Sequence, residues 1–267
     1  DLVRQKIEEA FPEAEIEIVE MSTKGDELLD RSLTSFGGKG VFTKELEEAL
    51  LREEIDLAVH SAKDMPMEFP EGLGIGAVLS RADVRDVLVT TSGTRAADLA
   101  PGSVVGTSSL RRELQIKEIN PLVKIRLLRG NVQTRLRKLK EGQYDAILLA
   151  AAGLERLGIT EEEGICLEYL EPDTFLPAAG QGILAVESKE GRLTEVLQAI
   201  HCPEAALELA AERSFLKAIG GSCNAPAAGL CRMAEGKLHM KVLYAPEAGK
   251  LHFAEGSCML ESADRTE

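Results

Sequence analysis

Apolar positions recur along this chain with two different periods, and the changes between them outline the elements. Residues 1–11 follow the helical period among charged neighbours, and Pro12 closes the stretch, so the chain opens on the end of an amphipathic helix. Residues 15–21 alternate polar and apolar, as a half-buried strand does. That order predicts that the residues given begin after a first strand. Thr43 is placed to cap a helix running to about residue 52, and residues 56–60 predict a short buried strand. Residues 74–79 and 86–90 are further strand-like runs.

From residue 104 the pattern becomes regular. A strand at 104–106 leads to a helix from Ser109, a strand at 125–128 to a helix from Asn131, and a third strand lies at 146–149. Such alternation predicts parallel α/β layers. A strand at 183–187 and a helix near 192–200 follow, and Pro203 then punctuates the chain. Beyond it a long helix, 204–219, precedes three β-like runs near 227–233, 237–244 and 251–260, a change of class to α+β. The expected architecture is two α/β domains and a small α+β C-terminal domain. Domain 1 takes residues 1–80 and 180–200, domain 2 takes 85–174, and domain 3 takes 203–267. The crossings are expected near 80–85 and 174–180.

Composition narrows this picture little, but charge does. No apolar run approaches a membrane span, and no basic-then-apolar leader opens the residues given. Five cysteines (Cys166, Cys202, Cys223, Cys231, Cys258) without close spacing argue against a disulfide framework or a structural zinc site, and a reducing cytoplasm is expected. The net charge of −14 argues against a general nucleic-acid binder. Its distribution is uneven. Between Thr107 and Lys140 stand ten basic residues, opposed only by Glu113 and Glu118. A local basic field in an acidic protein points to a specific anion, against the alternative of a solvated helix face.

The position of those residues favours the anion. Thr107, Ser108 and Ser109 stand at a strand-to-helix junction, where free backbone N–H groups converge. Arg111 and Arg112 fall in the first helical turn, opposed by the helix dipole, and a bound carboxylate or phosphate would offset that cost. Arg129 and Arg135 repeat the arrangement at the next junction, and adjacent strand ends face one crevice in open α/β sheets. Three other places leave alternatives open. Lys39, in a glycine-rich loop without P-loop spacing, either approaches an anion or sits in a plain turn. Ser61, Lys63 and Asp64 follow a buried strand, and on the residues alone a capped turn before Pro66 is the better reading. Cys223, between Gly221 and Pro226, has an open loop setting that no other cysteine shares, although most free cysteines are small buried hydrophobes.

Seven segments together carry a resemblance. GGKGVFTKELE (37–47), DLAVHSAKDMP (56–66), VVGTSSLRRE (104–113), LRGNVQTRL (128–136), DAILLAAAGLERLG (145–158), LPAAGQG (176–182) and GGSCNAP (220–226) run in the order found in the hydroxymethylbilane synthases, also called porphobilinogen deaminases. The chain resembles that family over nearly its whole length. The resemblance implies two periplasmic-binding-protein-like α/β domains around a cleft, with a third domain carrying the cofactor cysteine. It implies a monomeric cytoplasmic transferase of haem biosynthesis with no metal, no membrane and no nucleic-acid partner. That enzyme deaminates four porphobilinogen molecules and joins them head to tail on a dipyrromethane, releasing hydroxymethylbilane.

Residue by residue, the resemblance makes Cys223 the thioether anchor of dipyrromethane and Asp64 the catalytic carboxylate. It gives Lys63, Ser109, Arg111, Arg112, Arg129, Arg135 and Arg156 to the pyrrole carboxylates, and Ser61, Thr107, Ser108 and Gln181 to neighbouring polar positions. Lys39 falls on a loop over the cleft. The family's first strand, with an Arg-x-Ser-x-Leu-Ala pattern, and the end of its last domain are not among these residues; Ser222 stands where Gly is usual and Ser35 where Lys is common. The competing expectation is a non-catalytic binding protein for a carboxylated small molecule.

Overall fold

The computed structural model describes residues 1–21, 43–161, 164–220, 226–246 and 250–259. Three sheets organise them. The first is antiparallel, with β1 (Leu57–Ser61) and β2 (Leu73–Val78) on either side of β8 (Leu184–Lys189). Two helices cover one face of it. α1 (Leu2–Ala10) buries Val3 and Ile7, and α6 (Thr194–Ile200) buries Leu197 and Ile200, in one apolar cluster with Ala77, Leu79 and Val186. α2 (Lys44–Leu51) buries Ala49 and Leu50, and Leu50 packs on Ala58 and Leu73.

The second sheet has the order β5–β4–β6–β3–β7, from β3 (Asp86–Thr90), β4 (Val104–Gly106), β5 (Lys124–Arg126), β6 (Ala146–Ala150) and β7 (Cys166–Leu170). The expected parallel unit is present, since β4 runs parallel to both β5 and β6. β3 runs antiparallel to β6 and β7, so Asp86 at its start pairs with Ala150 at the end of β6. β3 is buried at every position, as a central strand covered on both faces must be. Three helices follow the parallel strands: α3 (Leu110–Ile119), α4 (Val132–Lys140) and α5 (Ala151–Arg156). Ser109 Oγ accepts from Arg112 N and Asn131 Oδ1 from Thr134 N, capping α3 and α4, whereas Thr43 stands at the start of α2 as expected but makes no side-chain cap bond.

The third sheet is an antiparallel meander of β9 (Ala227–Ala234), β10 (Lys237–Tyr244) and β11 (His252–Met259), packed beside α7 (Pro203–Ala218). Pro203 sits in the first turn of α7, where its missing N–H has no partner to lose.

Two expectations need revision. Residues 15–21 join no ladder among the described residues. Ile16 packs into the first cluster, whereas Ile18 and Val19 stay about half exposed, so the alternation marks one anchored side chain and not a strand. β7 was not anticipated, because its burial lacks a clean period of two.

Two linkers join the first and second sheets, and they are bonded to each other. Leu79 N donates to Leu184 O and Ala82 N to Gly182 O. Gly182 has φ +86°, and a Cβ there would lie 2.7 Å from the Ala82 carbonyl oxygen, which only glycine avoids. Arg81 ties the outgoing linker to the third sheet. Its guanidinium meets Glu208 at 3.0 Å, Glu212 at 2.7 Å and the Cys231 carbonyl at 3.1 Å. Glu212 also accepts from Gly180 N and Cys231 N, so one buried carboxylate joins both linkers to β9.

Candidate active site

The ends of β1 and β6 and the return linker converge. β1 ends in Ser61 and passes directly into a single 3-10 turn, Ala62–Asp64. Gly180 closes against this turn with φ +77°, and a Cβ there would lie 2.9 Å from the Lys63 nitrogen. A pocket at this point is lined by Ser61, Lys63, Ala150, Arg156, Gly180 and Ile183. The first sheet, the second sheet and the linker therefore share one cavity, as expected of ligand sites at strand ends.

Lys63 Nζ has the Gln181 side-chain oxygen at 3.4 Å, and Gln181 in turn donates to the Val84 carbonyl at 2.7 Å. Burial pushes the Lys63 ammonium down to about 8, with Asp64 holding it up against Arg112. Arg135 donates to the Gly130 carbonyl at 2.7 Å, and burial, with Arg112 and Arg129 nearby, brings it down to about 10. Burial likewise lowers Arg129 and Arg156. Arg156 donates to the Gly182 carbonyl at 2.8 Å, and the buried Arg129 Nε has no hydrogen-bond partner among the described residues. Among the described residues Lys63, Arg135 and Arg156 are thus held by amide and carbonyl oxygens, not by carboxylates.

Arg111 and Arg112 behave differently. Both are buried and both clasp Asp86, which is fully enclosed. Arg111 reaches Asp86 at 2.6 Å and the Leu176 carbonyl at 2.8 Å; Arg112 reaches Asp86 at 2.7 Å and the Leu148 carbonyl at 2.9 Å. The sequence argument assigned the charge opposing these first-turn arginines to a ligand, and an internal carboxylate supplies it here. Burial pushes the Asp86 carboxyl up, but Arg111, Arg112 and Lys63 outweigh it and hold the group well below the carboxylate range. Asp86 carried no motif signal. It reads as the first residue of an apolar strand, and only the antiparallel insertion of β3 brings it to the strand ends.

The smaller groups fall in place around this frame. Thr107 is buried and its hydroxyl accepts from Ser109 N at 3.1 Å, while the Ser109 hydroxyl is engaged in capping α3. Ser108 is exposed, Gln181 is 1% exposed, and Asp64 is exposed at the end of its turn. Asp64 acts electrostatically on Lys63, Arg112 and Arg135, which places its carboxylate within the basic group. Cys223 and Lys39 lie outside the described residues. Among the described residues no group of side chains forms a metal site, and no helix is long and apolar enough to cross a membrane.

The arrangement concentrates cations around one exposed carboxylate, and such a group of cations can pair with several acidic groups at once. Comparison with known proteins gives the family. A family described as "Porphobilinogen deaminase, dipyromethane cofactor binding domain" matches residues 1–196. The porphobilinogen deaminase of Syntrophobacter fumaroxidans is 45% identical over 250 residues, spanning 93% of this chain and 80% of that protein. That of Halalkalibacterium halodurans is 44% identical over 256 residues, spanning 95% and 82%. Among solved structures, the Bordetella pertussis BvgS VFT2 domain (a double mutant) covers 80% of this chain and 82% of its own, with 18% identity and a TM-score of 0.46. The family match spans most of the chain and the relatives align along nearly all of it: the chain belongs to the porphobilinogen deaminase family.

Proposed function

We propose that this chain deaminates porphobilinogen and joins four units head to tail on a dipyrromethane held by Cys223, with Asp64 at the reacting centre. It is a transferase of tetrapyrrole biosynthesis that uses the dipyrromethane cofactor. The observation that carries the site assignment is a set of cations, the desolvated Lys63, Arg129 and Arg135 and the exposed Arg156, that have no carboxylate hydrogen-bond partner among the described residues. Each pyrrole of the cofactor and of the substrate brings an acetate and a propionate, and these complete the cations. The residues fit the group. Bound dipyrromethane supplies a nucleophilic pyrrole carbon at its free end.

The protein's own part is electrostatic. Lys63, Arg129, Arg135 and Arg156 hold the acidic side groups and fix which pyrrole faces Asp64. With Asp86 neutralising one of them, Arg111 and Arg112 add one net positive charge beneath the same groups. Ser61, Thr107, Ser108 and Ser109 offer hydroxyls or free backbone N–H groups beside them, and Gln181 holds Lys63. Asp64 accepts pyrrole N–H groups and stabilises the cation left when ammonia departs from porphobilinogen. Lys39 belongs to a loop over the cleft. Three domains, 1–80 with 180–200, 85–174 and 203–267, belong to this reading, and the presence of three separate sheets supports them. A monomer in the cytoplasm without a nucleic-acid partner suits the acidic charge of −14 and the free cysteines.

The decisive experiment is the intact mass of the denatured protein and of Cys223→Ala. The parent should exceed its polypeptide mass by two linked pyrroles, and the variant should not. Protein that stays unmodified after incubation with porphobilinogen or preformed hydroxymethylbilane would favour the binding-protein alternative.

Lys63 gives a pH signature. Its folded value near 8 lies below the free lysine value, so the ammonium loses its proton in the fold first, and carboxylate binding weakens as pH rises through 8. The KM for porphobilinogen should therefore climb above that pH in the parent and stay flatter in Lys63→Arg. Parallel profiles would remove Lys63 from carboxylate binding.

A further inference from the structure

The helix that leads toward Cys223 also reaches the segment that follows Asp64. In the third quarter of α7, Arg213 Nη2 donates to the Pro66 carbonyl at 2.6 Å. The same guanidinium lies over the Phe69 ring, 5.6 Å from its centroid. Phe69 packs on the cluster of Met65, Val78 and Leu209 and on that of Leu50, Ala58 and Leu73, and Met65, between it and Asp64, is 3% exposed. One side chain thus brackets residues 66–69 at both ends. Its partners among the described residues are a carbonyl and an aromatic face, and burial lowers its pKa. A cation desolvated in this way, with no carboxylate among those partners, gains chiefly geometric definition of what it touches.

We propose that Arg213 is a positioning residue for Asp64. It fixes the segment after the Ala62–Asp64 turn relative to α7, whose C-terminal end leads to the cysteine that carries the growing pyrrole chain. The inference rests on the roles given above to Asp64 and Cys223.

The test compares holoenzymes at equal dipyrromethane content. Arg213→Leu should lower kcat per cofactor by about tenfold or more, because small displacements at a reacting centre are costly, while KM changes less than about twofold. Arg213→Lys should restore most of the rate, since an ammonium still donates to Pro66. In an Asp64→Asn background Arg213→Leu should cost nothing further, as expected of two residues acting through one group. Parental kcat in Arg213→Leu, equal impairment by Lys and Leu, or additive losses in the double variant would each overturn the proposal. If Arg213→Leu does not accumulate as folded protein, Phe69→Leu removes the ring and keeps the hydrogen bond. A lowered kcat per cofactor then supports the proposal and a parental one rejects it. Normal turnover by Asp64→Asn would remove the assignment of Asp64 and this inference with it. A dead Asp64→Asn beside a parental Arg213→Leu removes the inference alone.

Discussion

Replacing Asp64 by Asn should leave a folded protein that still carries dipyrromethane and turns over at least about a hundredfold more slowly, the size of effect expected when a preorganised electrostatic group is lost. Asn keeps the shape and one acceptor oxygen but removes the negative charge. That charge is set among cations. Asp64 raises the pKa of Lys63, Arg112 and Arg135, so its field reaches the whole basic group. A positive charge created at the substrate when ammonia leaves would otherwise face only those cations. Because Asp64 is exposed at the end of its turn, the substitution should shift the unfolding midpoint very little. The measurement is single-turnover rate and KM on holoenzyme with the cofactor counted by its colour with acidic dimethylaminobenzaldehyde. Near-parental turnover would take Asp64 out of the chemistry.

Most of the frame was legible in the sequence, and the reasons differ by element. The run from residue 104 to 149 alternates strand and helix so regularly that β4, β5 and β6 and their parallel pairing follow from it. Ser109 and Asn131 announce their helices because a capping side chain is a local requirement. Arg129 and Arg135 were legible as candidates for the same reason, since a strand-to-helix junction is read from a few neighbouring residues. What escaped depends on contacts remote in sequence. Asp86 is separated from Arg111 by 25 residues, and its partnership exists only because β3 is inserted antiparallel beside β6. Arg213 meets Pro66 across 147 residues. Ile18 and Val19 show the opposite failure, a local period of two that no neighbouring strand takes up.

The largest effect on stability should come from Asp86→Asn. Two buried guanidiniums would then face a neutral amide, and breaking a buried ion pair by removing one partner costs roughly 3–5 kcal/mol. That is a large fraction of the roughly 5–15 kcal/mol by which domains are stable. The loss should depend on pH in a definite sense. In the fold, Asp86 stays ionised well below the usual carboxylate range, whereas in the unfolded chain it takes up a proton near its ordinary value of about 4. The unfolded chain therefore binds the proton first as acid is added. Asp86 contributes its full stability above about pH 4 and loses it progressively as pH falls toward the lower folded value. Urea unfolding at pH 7 should separate parent and variant widely, and at pH 3 the gap should narrow. A gap below about 1 kcal/mol at pH 7, the range of an ordinary substitution, or one that is the same at both pH values would show that the Asp86 charge does not hold this corner together. The consequence reaches the site, because Arg111 and Arg112 leave Asp86 only by moving off the Leu176 and Leu148 carbonyls, which anchor them to the return linker and to β6. Cofactor content should therefore fall in Asp86→Asn even at temperatures where the protein remains folded, which distinguishes it from Asp64→Asn.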